Sequence, residues 1–333
     1  MKHSPCTIRE TTAAGLDRLV LENGLLQISI LAGKGADIYE LIYKPLQMDV
    51  LLKTGPGLDG FRGRDLAERR LRMYSEIYVG GWQDCLPHRA RYGGIEITQD
   101  NGGIAATLPW AYEVTSNTED TVSVRCFVQL PEVPLDVEKT FTLQKGESTL
   151  HITQRIRNRG DAAASFTWTQ HPAFGGTFLD ETVDVEVPEG CIAFHPRQYA
   201  AAQGSDPAAF EEPIDRITLH GGAPRDIRKV LPRTASDQLF LVLKNAGEPW
   251  ARLVNRRKGL GVQLRWQLDA FPYIRYWSSI GPGIYTVAVE PSNDAFASLD
   301  DSLAHGTYLE LQPGGQFETR YSCELFETNR DPA

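Results

Sequence analysis

The feature that most constrains this chain is strict alternation. Across residues 121–130, Val122, Val124, Cys126, Val128 and Leu130 occupy every second position, while Ser123, Arg125 and Gln129 fall in the other phase. Successive side chains of an extended chain point to opposite faces, so this pattern predicts a strand with one face in a core and one toward solvent. Val137, Phe141 and Leu143 repeat it, the turn Gln144-Lys145-Gly146-Glu147-Ser148 interrupts it, and Leu150, Ile152 and Ile156 resume it. That order predicts a hairpin. Arg159-Gly160-Asp161 marks a further turn before a strand at 165–170. More strands are expected at 24–30, 238–244, 261–268, 283–289 and 316–325.

Helical periodicity is scarce. The best candidate is 63–72, where Asp65/Arg69 and Glu68/Arg72 are spaced to pair along one helical turn. This stretch reads as a solvated helical face or loop, or as an arginine cluster (Arg62, Arg64, Arg69, Arg70, Arg72) able to hold an anionic group. Many short strands joined by Gly/Pro-rich turns mean an antiparallel sandwich or barrel. The 333 residues suggest about two domains by length alone. No repeat, linker or low-complexity run divides them, so the expectation is one large all-β sandwich over 1–333 with few short helices. Residues 199–213, rich in Ala and Pro, read as a long surface loop.

A net charge of −9 argues against nucleic acid and anionic membranes, which are bound through surplus Lys and Arg. No stretch approaches the roughly 20 apolar residues of a membrane helix. The start, Met1-Lys2-His3-Ser4-Pro5-Cys6, has no apolar segment behind it, so a cytosolic location is expected. Five widely spaced cysteines, Cys6, Cys85, Cys126, Cys191 and Cys323, read as reduced structural thiols. Cys85-Leu86-Pro87-His88 has no second ligand pair, so a buried strand-end cysteine is expected there rather than a metal.

No glycine-rich strand–turn–helix of a nucleotide site is present, since Gly102-Gly103, Gly175-Gly176 and Gly221-Gly222 lie among strands. No nucleophile elbow occurs either. Polar residues embedded in aromatic, turn-rich segments remain: Gly80-Gly81-Trp82-Gln83-Asp84-Cys85-Leu86-Pro87, Trp168-Thr169-Gln170-His171-Pro172-Ala173-Phe174-Gly175 and Ala288-Val289-Glu290-Pro291-Ser292-Asn293. His171 is expected to end a strand, held extended by the following proline. Taken alone it reads as a hydrogen-bonded structural residue or a catalyst. Glu290 follows the apolar run Ile284, Val287, Ala288 and Val289, where a carboxylate is costly unless paired or used. It is a candidate general base, or half of a salt bridge at the sheet end.

Together these segments resemble the aldose 1-epimerase, or galactose mutarotase-like, family. The resemblance is carried by Gly35-Ala36-Asp37-Ile38-Tyr39-Glu40-Leu41, by 80–87, and by Asn158-Arg159-Gly160-Asp161 leading to His171-Pro172-Ala173-Phe174-Gly175. Ser236-Asp237-Gln238-Leu239-Phe240 and Val289-Glu290-Pro291 complete the order over nearly the whole chain. It implies a β-supersandwich with a sugar cleft across one sheet. It also implies that His171 protonates the ring oxygen, that Glu290 takes the anomeric hydroxyl proton, and that Asp237 binds substrate. The family's second histidine has no match, because Asp100-Asn101-Gly102-Gly103 places Asn101 there as a substrate contact. Its sugar-binding arginine has no clear counterpart.

Mutarotation opens an aldose ring by removing the anomeric hydroxyl proton and protonating the ring oxygen. A carboxylate and an imidazole suit those roles, with neither metal nor cofactor. Trp82, Trp110, Trp168 and Trp277 are candidate platforms for the apolar face of a sugar, and Gln83 a candidate contact. The expected function is interconversion of the α and β anomers of a hexose or modified aldose, by a monomer or homodimer whose partner is a small sugar. The alternatives are an epimerase of phosphorylated or otherwise anionic sugars, a non-catalytic carbohydrate-binding protein, and a polysaccharide-acting enzyme on a similar sandwich.

Overall fold

The alternating stretch forms a strand, β9 (Thr121–Gln129), that buries Val122, Val124 and Cys126 completely. The hairpin follows as β10 (Leu135–Gln144) and β11 (Thr149–Asn158), with Leu135 opposite Asn158. In β10 every second residue is buried, as the pattern requires. The computed structural model describes residues 4–61, 77–97, 103–197, 210–218 and 224–329.

Two antiparallel sheets account for the strands among these residues. The larger runs β1 (Thr7–Ala13), β2 (Leu16–Glu22), β3 (Leu26–Leu31), β4 (Asp37–Tyr43), β6 (Trp82–Tyr92), β12 (Ala164–Phe174), β20 (Ile284–Ser292), β19 (Tyr273–Gly281), β16 (Asp237–Lys244), β14 (Ile192–His195) and β15 (Phe210–Pro213). Short strands β5 (Met48–Asp49), β7 (Ile95–Ile97) and β21 (Leu309–Leu311) pair with β4, β6 and β12. The second sheet runs β13 (Val183–Glu186), β17 (Trp250–Asn255), β18 (Leu260–Arg265), β22 (Gln316–Glu327), β11, β10, β9 and β8 (Ala111–Asn117). A single α-helix among the described residues, α1 (Leu299–His305), starts at Ser298, whose hydroxyl accepts from Asp301 N, and ends at Gly306 with φ 69°. The fold class is the all-β sandwich the alternation predicts.

The sheets pack face to face. Ile28, Trp168 and Val289 of the larger sheet join Val124, Phe141, Ile152 and Leu325 of the second in one apolar cluster. In β12 all eleven residues are buried, because its inward face meets this core and its outward face is covered as well. A strand of that kind carries no alternation, which is why its sequence reads as a short strand ending before His171.

Several expectations change. The strand expected at 165–170 continues through Pro172 to Phe174, so His171 lies inside it. Residues 210–213, expected in a loop, form β15 against β14, with Phe210 opposite His195. Cys85 sits within β6 rather than at its end. All five cysteines are buried and none forms a disulfide. The candidate helix 63–72, Arg62, Arg64, Arg69, Arg70 and Arg72, and most of the 199–213 segment lie outside the described residues. No helix among the described residues is long and apolar enough to cross a membrane.

Candidate functional site

The site is a ladder on the outward face of the larger sheet. Thr169 of β12 lies opposite Ser292 of β20, and Ala173 opposite Ala288. That register places His171 opposite Glu290 between them, and all six side chains share one face. On the first rung the Thr169 and Ser292 hydroxyls are hydrogen-bonded at 2.8 Å. On the middle rung His171 Nε2 stands 3.5 Å from Glu290 Oε1, with both side chains almost fully buried. The third rung is apolar: Ala173 and Ala288 cluster with Leu52, Tyr78, Trp277 and Ile284.

The neighbouring strands extend each rung. Gln83 of β6 lies beside His171, and Arg275 and Trp277 of β19 lie beside Glu290 and Ala288. Trp277 is half-buried, its ring tilted at 5.5 Å from the His171 ring. Tyr78 meets the imidazole edge-on at 5.8 Å and Trp277 at 6.4 Å. Gln83 donates its amide to Gly80 O, and its Oε1 has no hydrogen bond among the described residues. Arg275 is anchored behind Glu290 by Asp294, at 2.6 Å. Asp294 also accepts from Arg89 at 3.1 Å, from Ser302 Oγ at 2.6 Å and from Phe296 N at 2.8 Å. Strand ends and α1 thus hold one wall of the site rigidly.

Burial decides the electrostatics. Loss of water disfavours the charged form of each group. It pushes the Glu290 carboxyl up to about 8, against the opposing pull of Arg275. It pushes the His171 imidazole down to about 4. His88, on the same strand as Gln83, is held far below the usual imidazole range by burial and by the charges of Arg89 and Arg275. Burial thus disfavours charge on both members of the middle rung, which share one proton across 3.5 Å. Such a pair can give one proton and take another without bringing net charge into a dry site.

The sequence candidates divide by strand phase. His171, Glu290, Gln83 and Trp277 come together. Trp82, adjacent to Gln83, points the other way into the core, where its Nε1 donates to Gln170 Oε1 at 2.9 Å and its ring meets Tyr321. Trp168 is likewise inward, donating to Asp84 at 2.6 Å. Trp110 is buried with its Nε1 on Ala105 O. The structure does not bring Asp237 to the pair either. It lies opposite Ile280, in the inward phase with Leu239 and Leu241, and is held by Arg225. Its neighbour Gln238 takes the outward phase. Asn101 lies outside the described residues. Among those residues, no group of three or more His, Cys, Asp or Glu is placed to hold a metal.

Sequence reasoning missed Arg275, Tyr78 and His88. For Arg275 a signal existed: it shares its phase with Trp277 in the buried stretch Tyr273-Ile274-Arg275-Tyr276-Trp277, where a charge is as costly as at Glu290. Tyr78 precedes Gly80-Gly81, and only the fold reveals what it covers.

Comparison with known proteins agrees with this architecture. A Klebsiella pneumoniae protein provisionally described as an aldose 1-epimerase superposes with a TM-score of 0.72 at 13% identity, over 97% of this chain and 84% of its own. A galactose mutarotase-like protein of Clostridium acetobutylicum gives 0.71 at 11% identity, over 97% and 99%. Another from Lactobacillus casei gives 0.61 at 16%, over 92% and 99%. At these identities the likeness shows the fold, which is that of the galactose mutarotase-like proteins. No curated protein matches the sequence. A family model does, over residues 128–325, a stretch that includes both members of the middle rung. By that match the chain belongs to the family described as a domain of unknown function, DUF4432.

Proposed function

We propose that this protein is an aldose 1-epimerase-like isomerase that interconverts the α and β anomers of a hexose or modified aldose. The observation that carries the reading is the His171–Glu290 rung, a buried acid and base 3.5 Å apart on one sheet face. Trp277 beside it offers the apolar face of a pyranose a flat contact.

In the proposed reaction one member of the pair takes the anomeric hydroxyl proton while the other protonates the ring oxygen. The C–O bond opens to the aldehyde, the carbonyl turns over, and the ring closes on its other face with both transfers reversed. The pair returns to its starting protonation in each turnover. With the shared proton on His171 the roles are those the family resemblance implies, and with it on Glu290 they are exchanged. The neutral pair and the ion pair hold the same number of protons, so either assignment is competent over the same pH window. In this reading Gln83 Oε1, which accepts no hydrogen bond from the described residues, receives one from a sugar hydroxyl beside the pair.

Polarimetric relaxation of freshly dissolved anomers across a panel of neutral, deoxy and phosphorylated aldoses tests this. Acceleration of at least one sugar beyond its spontaneous rate is expected. Binding of sugars with no acceleration of any would favour a carbohydrate-binding protein instead.

A further inference from the structure

The paired glycines of Gly80-Gly81-Trp82-Gln83 are not explained by the His171–Glu290 rung. Both have positive φ, 81° and 84°. A Cβ on Gly80 would run into the Leu52 carbonyl, and one on Gly81 into that of Ile38. The close approach is built from hydrogen bonds: Gly81 N to Leu52 O at 2.9 Å, Thr54 N to Val79 O at 3.1 Å and Ala173 N to Gly81 O at 3.0 Å. Thr54 Oγ1 adds one to Tyr78 O at 3.0 Å. The chain at 78–81 is thereby clamped between 52–54 and Ala173, two residues past His171. Only glycine tolerates that conformation at that distance.

What the clamp positions is Tyr78. Its ring stands at right angles to the His171 imidazole, meets Trp277, and packs against Leu52, Ala173 and Ala288. After burial, the charge bearing most on its phenol is that of Glu290. Tyr78 therefore lies over the rung where a reacting sugar would sit. The sheet floor beneath it, Ala173 and Ala288, offers no polar side chain.

We propose that Tyr78 is a third catalytic residue, whose hydroxyl donates a hydrogen bond to the sugar oxygen that becomes the aldehyde oxygen when the ring opens. The inference rests on the mutarotase reading above. No proton is transferred: the phenol keeps its hydrogen and stabilises partial negative charge on that oxygen. Burial holds the phenol well above its usual range, so it remains a donor at any pH where the pair is competent.

The test is steady-state anomerisation by the full chain and its Tyr78→Phe and Tyr78→Leu variants, with thermal unfolding and the His171 imidazole signals followed in parallel. Phe keeps the ring contacts and removes only the hydroxyl. It is expected to lower kcat by about 10²- to 10³-fold with KM nearly unchanged, the range for loss of one positioned donor. Leu is expected to lower kcat at least as far and also to raise KM. Wild-type kcat in Tyr78→Phe overturns the proposal, and a loss confined to Tyr78→Leu reduces the residue to packing. A wild-type protein that accelerates no sugar overturns the mutarotase reading and this inference with it, whereas an active wild type with an unaffected Tyr78→Phe overturns this inference alone.

Discussion

Strands β6 and β12 bury polar side chains on both faces, and the two faces are built differently. Inward, Asp84 is surrounded: Trp168 Nε1 at 2.6 Å, Gln170 Nε2 at 2.9 Å, the Gln154 amide, and Lys139 at 3.6 Å. Tyr321 closes the group by donating to Gln154 at 2.6 Å. Outward, one residue out of phase, His171 and Glu290 stand 3.5 Å apart, with a carboxylate oxygen that no described group bonds. Burial is equal on the two sides, but both oxygens of Asp84 accept hydrogen bonds whereas Glu290 Oε1 accepts none from the described residues. A buried polar group without full partners costs free energy that a purely structural role would not repay. The contrast teaches that burial does not distinguish the two carboxyl groups, whereas the number of hydrogen bonds each accepts does.

The comparison can be broken most sharply at the rung itself. His171→Gln should lower anomerisation by about 10²–10⁴-fold, the usual contribution of one acid–base group, with little change in thermal unfolding. A loss of stability instead of rate would make the rung structural. On the inner face Asp84→Asn should do the opposite. It strands the Lys139 charge between the sheets and should cost about 3–5 kcal/mol in denaturant unfolding, with kcat per folded molecule nearly retained.

The pH dependence sharpens the same contrast. Between the ordinary carboxylate value of 4.5 and about 8, folded Glu290 keeps a proton that the unfolded chain has released. Stability from this group therefore falls as pH rises through that window. Between about 4 and the ordinary 6.5, unfolded His171 binds a proton that the folded imidazole refuses, so stability falls as pH drops there. Thermal unfolding of Glu290→Gln should lose the decline toward alkaline pH while keeping the acid one. Activity should hold between about 4 and about 8 and fall on either side, as the pair gains or loses its shared proton. Smallest is the difference between two tryptophans. Trp277→Ala should raise KM by roughly tenfold, about the worth of one aromatic contact, whereas Trp82→Phe should leave KM alone and lower stability.

How much of this was legible in the sequence follows from what strand phase reveals. The fold class could be read because β9, β10 and β11 alternate openly. Glu290 could be read because a carboxylate behind Val287, Ala288 and Val289 is out of place unless used. The strand β12 reads as shorter than it is because it is buried on both faces and so shows no period. Trp82 and Asp237, read as substrate contacts, take the inward face for a related reason: a motif gives residue types in order but not which side of the sheet each takes. Adjacent residues such as Trp82 and Gln83 face opposite ways by geometry alone. Tyr78 was invisible because its role depends on Leu52 and Thr54 meeting Gly80 and Gly81 across a loop closure.

The measurement that bears most directly on the central claim is NMR exchange between α and β anomers of the best aldose, at equilibrium and near neutral pH, for wild type and Glu290→Gln. Wild type is expected to exchange anomers well above the spontaneous rate and Glu290→Gln to return to that rate, with sugar binding retained. Exchange by Glu290→Gln at the wild-type rate would contradict it.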